Sequence, residues 1–179
     1  MKSKTNRVLS FMHVITWIIF IGICIIAGAI FFSFFMSLFI NPDAARNLYK
    51  GLDLSALRDY SQEHYVAYAG LVIILWIMKA YMFYQVIRIF LKINLAEPFS
   101  TNVANLITRI SYIALVIGIF SLIATGYYHW LVKKGIPLSD LSLHINGGAG
   151  YLFFAGIIFI ISLVFKRGIE IQSENELTV

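Results

Sequence analysis

Four apolar runs, each longer than twenty residues, divide this chain of 179 residues, and nothing else in it restricts folding as much. The first carries no Asp, Glu, Lys or Arg across residues 8–40; the others cover 65–87, 110–132 and 145–165. About 20 apolar residues cross the hydrocarbon of a bilayer as a helix. A lipid-exposed backbone has no water to bond, so each run must satisfy its own amides and carbonyls as a helix. The sequence therefore predicts an all-α integral membrane protein. It has four transmembrane helices in a bundle, spanning about 11–40, 65–87, 110–132 and 145–165, and a charged tail over 166–179. Little length is left for a soluble domain, so 1–179 reads as a single membrane domain.

Composition agrees: 60% of residues are hydrophobic, 13% are charged and the mean hydropathy is +0.82. An ordinary soluble domain carries about 25% charged residues. The net charge of +5 comes from Lys and Arg spread along the ends of the spans. There they suit lipid headgroups and orientation, and no basic block exists that would bind nucleic acid directly. Cys24, the one cysteine, lies inside the first span and is expected to be buried packing rather than redox chemistry.

Lys2, Lys4 and Arg7 followed by an apolar run resemble a signal peptide, and Ala27-Gly28-Ala29 offers a small-residue cleavage pattern. The run continues to Ile40, however, so an uncleaved span is expected. With the N-terminus inside, the cytoplasmic side holds Lys2, Lys4, Arg7, Arg88, Lys92, Arg109, Lys166 and Arg167, eight in all. The outer side holds five: Arg46, Lys50, Arg58, Lys133 and Lys134. The excess predicts both termini in the cytoplasm.

In the first outer loop, Asn41 can cap a helix, Pro42 suits its first position and Gly51 its end. Leu54, Leu57 and Tyr60 recur at spacing three, as in a short surface helix; a plain solvated connector fits equally well. Between spans two and three, Pro98 ends one helix, and Ser100 or Thr101 can cap the next. Small residues recur every seven positions at Ser111, Gly118 and Thr125, and at Gly148, Ala155 and Ser162. Such residues let helix backbones approach closely in lipid, so spans three and four are expected to pack together.

His64, His129 and His144 are expected at the outer ends of spans. Three imidazoles could hold zinc and two a haem, but their positions show no ligand spacing. Tyr127-Tyr128-His129-Trp130 resembles an interfacial aromatic belt, and belt or loop roles are preferred over any metal or cofactor. His13 reads as structural. No span contains a carboxylate, and no G-x-S-x-G, H-E-x-x-H or phosphate-cradling loop occurs. The chain is not expected to be an enzyme.

Lys79 is the one formal charge within its run, and a charge inside a span marks a candidate site. Snorkelling would carry its ammonium toward Arg88, nine residues or roughly 13 Å along the helix. Side chains lean toward a helix's N-terminus, here the opposite direction. A neutral polar pocket is the better expectation, with Thr16, Ser111, Ser121 and Ser162 at comparable depth and Trp76 one turn away for a cation–π contact.

After the fourth span come Lys166-Arg167-Gly168-Ile169-Glu170 and then Glu174-Asn175-Glu176-Leu177-Thr178-Val179. This ending, with Pro98-Phe99-Ser100 and Asn102 before span three, resembles the domain-of-unknown-function 2975 family, a bacterial family of four-helix membrane proteins. The resemblance implies a multi-pass protein of the bacterial inner membrane with no assigned activity. It also implies a cytosolic partner such as a small helix-turn-helix regulator. Docking would then fall on Pro98, Phe99, Ser100, Asn102, Glu174, Glu176, Leu177, Thr178 and Val179, the alternative for the tail being a solvated, frayed end.

Two functions follow as expectations. The first is a non-enzymatic regulatory or sensory membrane partner of a cytosolic protein. The second is a small transporter or channel subunit with a polar intramembrane site at Lys79. A lipid bilayer is the certain partner, and four helices that bury little area are compatible with a homo-oligomer.

Overall fold

A computed structural model describes residues 2–93, 99–139 and 142–176. Among them the elements are α1 (Lys2–Phe39), a 3-10 turn (Pro42–Asn47), α2 (Ser55–Tyr60), α3 (Gln62–Lys92), α4 (Thr101–Lys133), α5 (Ser142–Ile145) and α6 (Gly148–Glu176), with no strand. Four helices are long and apolar enough to cross a membrane: Arg7–Phe39, Gln62–Lys92, Thr101–Lys133 and Gly148–Glu174. The chain is a multi-pass membrane protein.

The helix ends follow from local chemistry. Ser61 accepts a hydrogen bond from the His64 amide and caps α3, and Ser100 accepts one from the Val103 amide and caps α4. Asn41 caps the 3-10 turn by accepting from the Asp43 amide, with Pro42 in its first turn. The turn after it passes through Lys50 and Gly51, at φ 44° and 82°. The left-handed region is natural for glycine and uncommon for lysine.

Residues 42–60 close one end of the bundle. Ala45, Leu48, Leu52, Leu54 and Leu57 are buried, continuous with Tyr65, Tyr68, Ala69 and Val72 of α3. Leu54 and Leu57 thus point into the protein and only Tyr60 of that row is exposed. The spacing-three row is the inward face of α2, not a lipid-facing one.

α1 packs against α3 along one stripe, marked by Ala27, Ile30 and Ser37. The Ser37 and Tyr65 hydroxyls, both buried, are hydrogen-bonded, and Phe20 meets Tyr84 nearer the other end. Val8, Phe11, Ile18, Ile25, Phe32 and Phe39 remain exposed along α1. Cys24 is exposed too, contrary to expectation, because over its length beside α3 alone α1 buries only one stripe.

α4 and α6 form the tightest pair. A Cβ added at Gly118 would lie 3.1 Å from the Gly148 carbonyl oxygen. The Ser111 hydroxyl donates to the Ala155 carbonyl at 2.9 Å, and Phe99 lies against Gly168. These pairings run in opposite directions along the two helices in one register. Small residues at heptad spacing bring spans three and four together as predicted.

That register has a consequence for the fourth span. α6 begins at Gly148, opposite the middle of α4, about 22 Å short of the level of Lys133. The predicted start at 145 is early by three residues: Ile145 belongs to α5, and Gly147 at φ 101° makes the corner between the two. At its other end α6 stays helical to Glu176, so residues 166–176 extend the span as a helix.

Candidate functional site

Lys79 is on the inward face of α3 and is 9% exposed. Its ammonium lies over the Trp76 ring, 4.7 Å from the centroid, and 5.8 Å from the ring centroid of Tyr151 in the first turn of α6. Trp76 precedes it by three residues, which places the ring where a helical side chain leaning toward the N-terminus arrives. Lys79 belongs to no ion pair among the described residues; the pairs present, Arg46–Asp43 and Arg167–Glu170, are exposed.

His144 completes the group. It is 5% exposed, and its ring meets Trp76 edge to face at 6.3 Å. Its expected position at the outer end of a span is corrected: the return from α4 runs back along the bundle, so α5 reaches the middle of α3. In this connection, burial first and the Lys79 charge second hold the imidazole below its ordinary range. Its Nδ1 and the Trp76 Nε1 are buried without a hydrogen-bond partner among the described residues.

Three of the four hydroxyls expected around Lys79 are engaged elsewhere. Thr16 donates to the Met12 carbonyl, Ser111 to Ala155 and Ser162 to Phe159. Ser121 is buried, its hydroxyl without a partner among the described residues. None of the four bonds Lys79 among the described residues; the three that are engaged donate to a carbonyl of their own or a touching helix, where a hydroxyl in a membrane helix is satisfied most cheaply. Of the expected neighbours, Trp76 is the one whose contact with Lys79 is seen among the described residues. Tyr151 and His144 were not foreseen, because only the depth at which α6 starts puts them there.

The remaining histidines are dispersed. His64 Nδ1 is 2.6 Å from the Tyr127 hydroxyl and its ring packs near Trp130. His129 lies edge to face on Tyr128, and His13 accepts from Trp17 Nε1 at 3.0 Å. Among the described residues no three His, Cys, Asp or Glu side chains gather as metal ligands would.

The expected docking residues divide between described and undescribed positions. Phe99 is 39% exposed, its ring 5.4 Å from that of Phe165 and its edge against Gly168. Ser100 caps α4 and Asn102 is exposed in the first turn. Glu174 is exposed on α6, and Glu176 is its last helical residue. Pro98, Leu177, Thr178 and Val179 lie outside the described residues.

Comparison with curated proteins and with solved structures gives no match. The family described as "Protein of unknown function (DUF2975)" matches over residues 37–179, which takes in the cap, α3, α4, α5, α6 and the tail, but little of α1. A match over that much of the sequence places this multi-pass membrane protein in the DUF2975 family.

Proposed function

We propose that this chain is a non-enzymatic regulatory membrane protein that presents a docking face to a cytosolic partner. The observation that carries this reading is the seating of Phe99 on Gly168. It joins the turn before α4 to the helix that continues past the bundle, so two separate segments form one face. Arg167 bonds Glu170 at 2.7 Å beside it, and Glu174 continues the charged surface. With both termini in the cytoplasm, as the excess of Lys and Arg favours, this face meets the cytosol. A bacterial inner membrane and a small helix-turn-helix regulator are the setting and partner that family resemblance suggests. Co-purification of the full chain with such a regulator, with and without residues 170–179, tests the reading. Loss of the partner on truncation supports it; an unchanged complex overturns it.

A second reading has its own observation. A lysine buried among aromatic rings, outside any ion pair among the described residues, is expensive in a membrane protein. A small transporter or channel subunit using Lys79 would account for it. Lys79→Met should then abolish flux in reconstituted vesicles, whereas flux at the wild-type rate counts against it.

A further inference from the structure

The Lys79 cluster is rich in donors, and the neutral His144 adds an Nδ1 that donates in one of its two tautomers. An ammonium only donates hydrogen bonds, and so does the indole Nε1 of Trp76. The Trp76 nitrogen and His144 Nδ1 are both buried without a partner among the described residues, and His144 and Lys79 are 5% and 9% exposed. No carboxylate approaches Lys79 among the described residues. Two aromatic faces at 4.7 and 5.8 Å attract the cation but accept little of what its three N–H groups can donate. The missing component is an acceptor, and a neutral one would leave the charge uncompensated. The start of α6 adds the positive end of a long helix three residues before Tyr151.

We propose that Lys79, Trp76 and His144 bind a singly charged anionic group in the middle of the bundle. One ammonium matches one negative charge. The group is a dissolved anion, such as a halide or formate, or the carboxylate of an acyl chain entering from lipid; the chemistry is the same. The proposal rests on the reading of Lys79 as an intramembrane polar site, but not on transport.

The test uses the full chain in lipid vesicles with Trp17→Phe and Trp130→Phe, so that Trp76 is the single tryptophan, excited where the tyrosines do not absorb. Bromide is titrated against gluconate at constant ionic strength, and thermal unfolding is followed in parallel. The expected result is saturable quenching together with a bromide-dependent rise in Tm. Half-saturation should move at least tenfold higher in Lys79→Met and several-fold higher in His144→Ala, and stay near wild type in Lys79→Arg. Formate and decanoate arms separate the sources: saturation by bromide or formate assigns a dissolved anion, and saturation by decanoate alone assigns an acyl carboxylate. Linear quenching in the wild type, with no anion dependence of Tm in any arm, overturns the proposal. Because the wild-type titration is decisive by itself, a Lys79→Met chain that fails to fold does not blunt the test. Bromide flux in vesicles distinguishes the two readings: saturable binding without flux removes transport and keeps the anion site.

Discussion

Gly118 and Gly148 face each other across α4 and α6 so closely that a Cβ on either would stand 3.1 Å from the other's carbonyl oxygen. A carbonyl in a helix cannot step aside as a side chain can. The contact therefore fixes both the separation of the helices and the depth at which α6 starts.

Gly118→Ala should destabilise the bundle by ~1–3 kcal/mol, the usual cost of overpacking. Gly126→Ala on the same helix meets nothing within 4 Å. It should be neutral or stabilising by up to ~1 kcal/mol, through helix propensity. Unfolding of the two variants in the same bicelles provides the comparison, and equal losses would show that the α4–α6 contact is not what Gly118 serves.

Gly168 leaves room for the Phe99 ring, whose Cδ1 would lie 2.6 Å from an added Cβ. Gly168→Ala should cost ~1–3 kcal/mol by displacing that ring. Combined with Phe99→Ala, the losses should be less than additive, since both remove the same contact. Strict additivity in a double-mutant cycle would mean that the two residues do not interact.

The Ser37–Tyr65 hydrogen bond joins α1 to α3, and Ser37 also donates to the Phe34 carbonyl at 2.7 Å. Tyr65→Phe therefore leaves the serine satisfied and should cost only ~0.5–1.5 kcal/mol. A loss several times larger would indicate that Tyr65 supports more of the cap than this bond.

Orientation is accessible to labelling. In a Cys24→Ser background, Lys50→Cys should react with a membrane-impermeant maleimide in intact cells, and Ser173→Cys only after permeabilisation. Both positions are exposed in the fold. The reverse pattern would place the termini outside and remove the proposed docking face from the cytosol.

Much of this architecture is legible in the residues. Uncharged runs locate the spans because the bilayer penalises charge and unsatisfied backbone alike. Ser100 announces the start of α4, and the heptads of small residues announce its partner. Tail helicity and the inward face of Leu54 and Leu57 were less legible, because periodicity does not say which neighbour a face will meet. The site was the least legible part. Trp76 could be read from helical spacing, but His144 and Tyr151 reach Lys79 only through the register of α4 with α6. Their sequence signal is one His and one Tyr beside a glycine-rich corner, a pattern shared with many interfacial loops.

α6 is one uninterrupted helix without proline, from Gly148 beside the Lys79 cluster to Glu176 beyond the bundle. Tyr151 and Glu176 are thus about 38 Å apart on a single rod. The rod is gripped at Gly148 by α4 and at Gly168 by Phe99. A rod held at two bearings has few free movements: it can rock, turn or slide, and it can do none of these at one end alone. A displacement of this rod at Tyr151 is carried to Glu174, which ties the aromatic wall of the Lys79 cluster to the exposed end of α6.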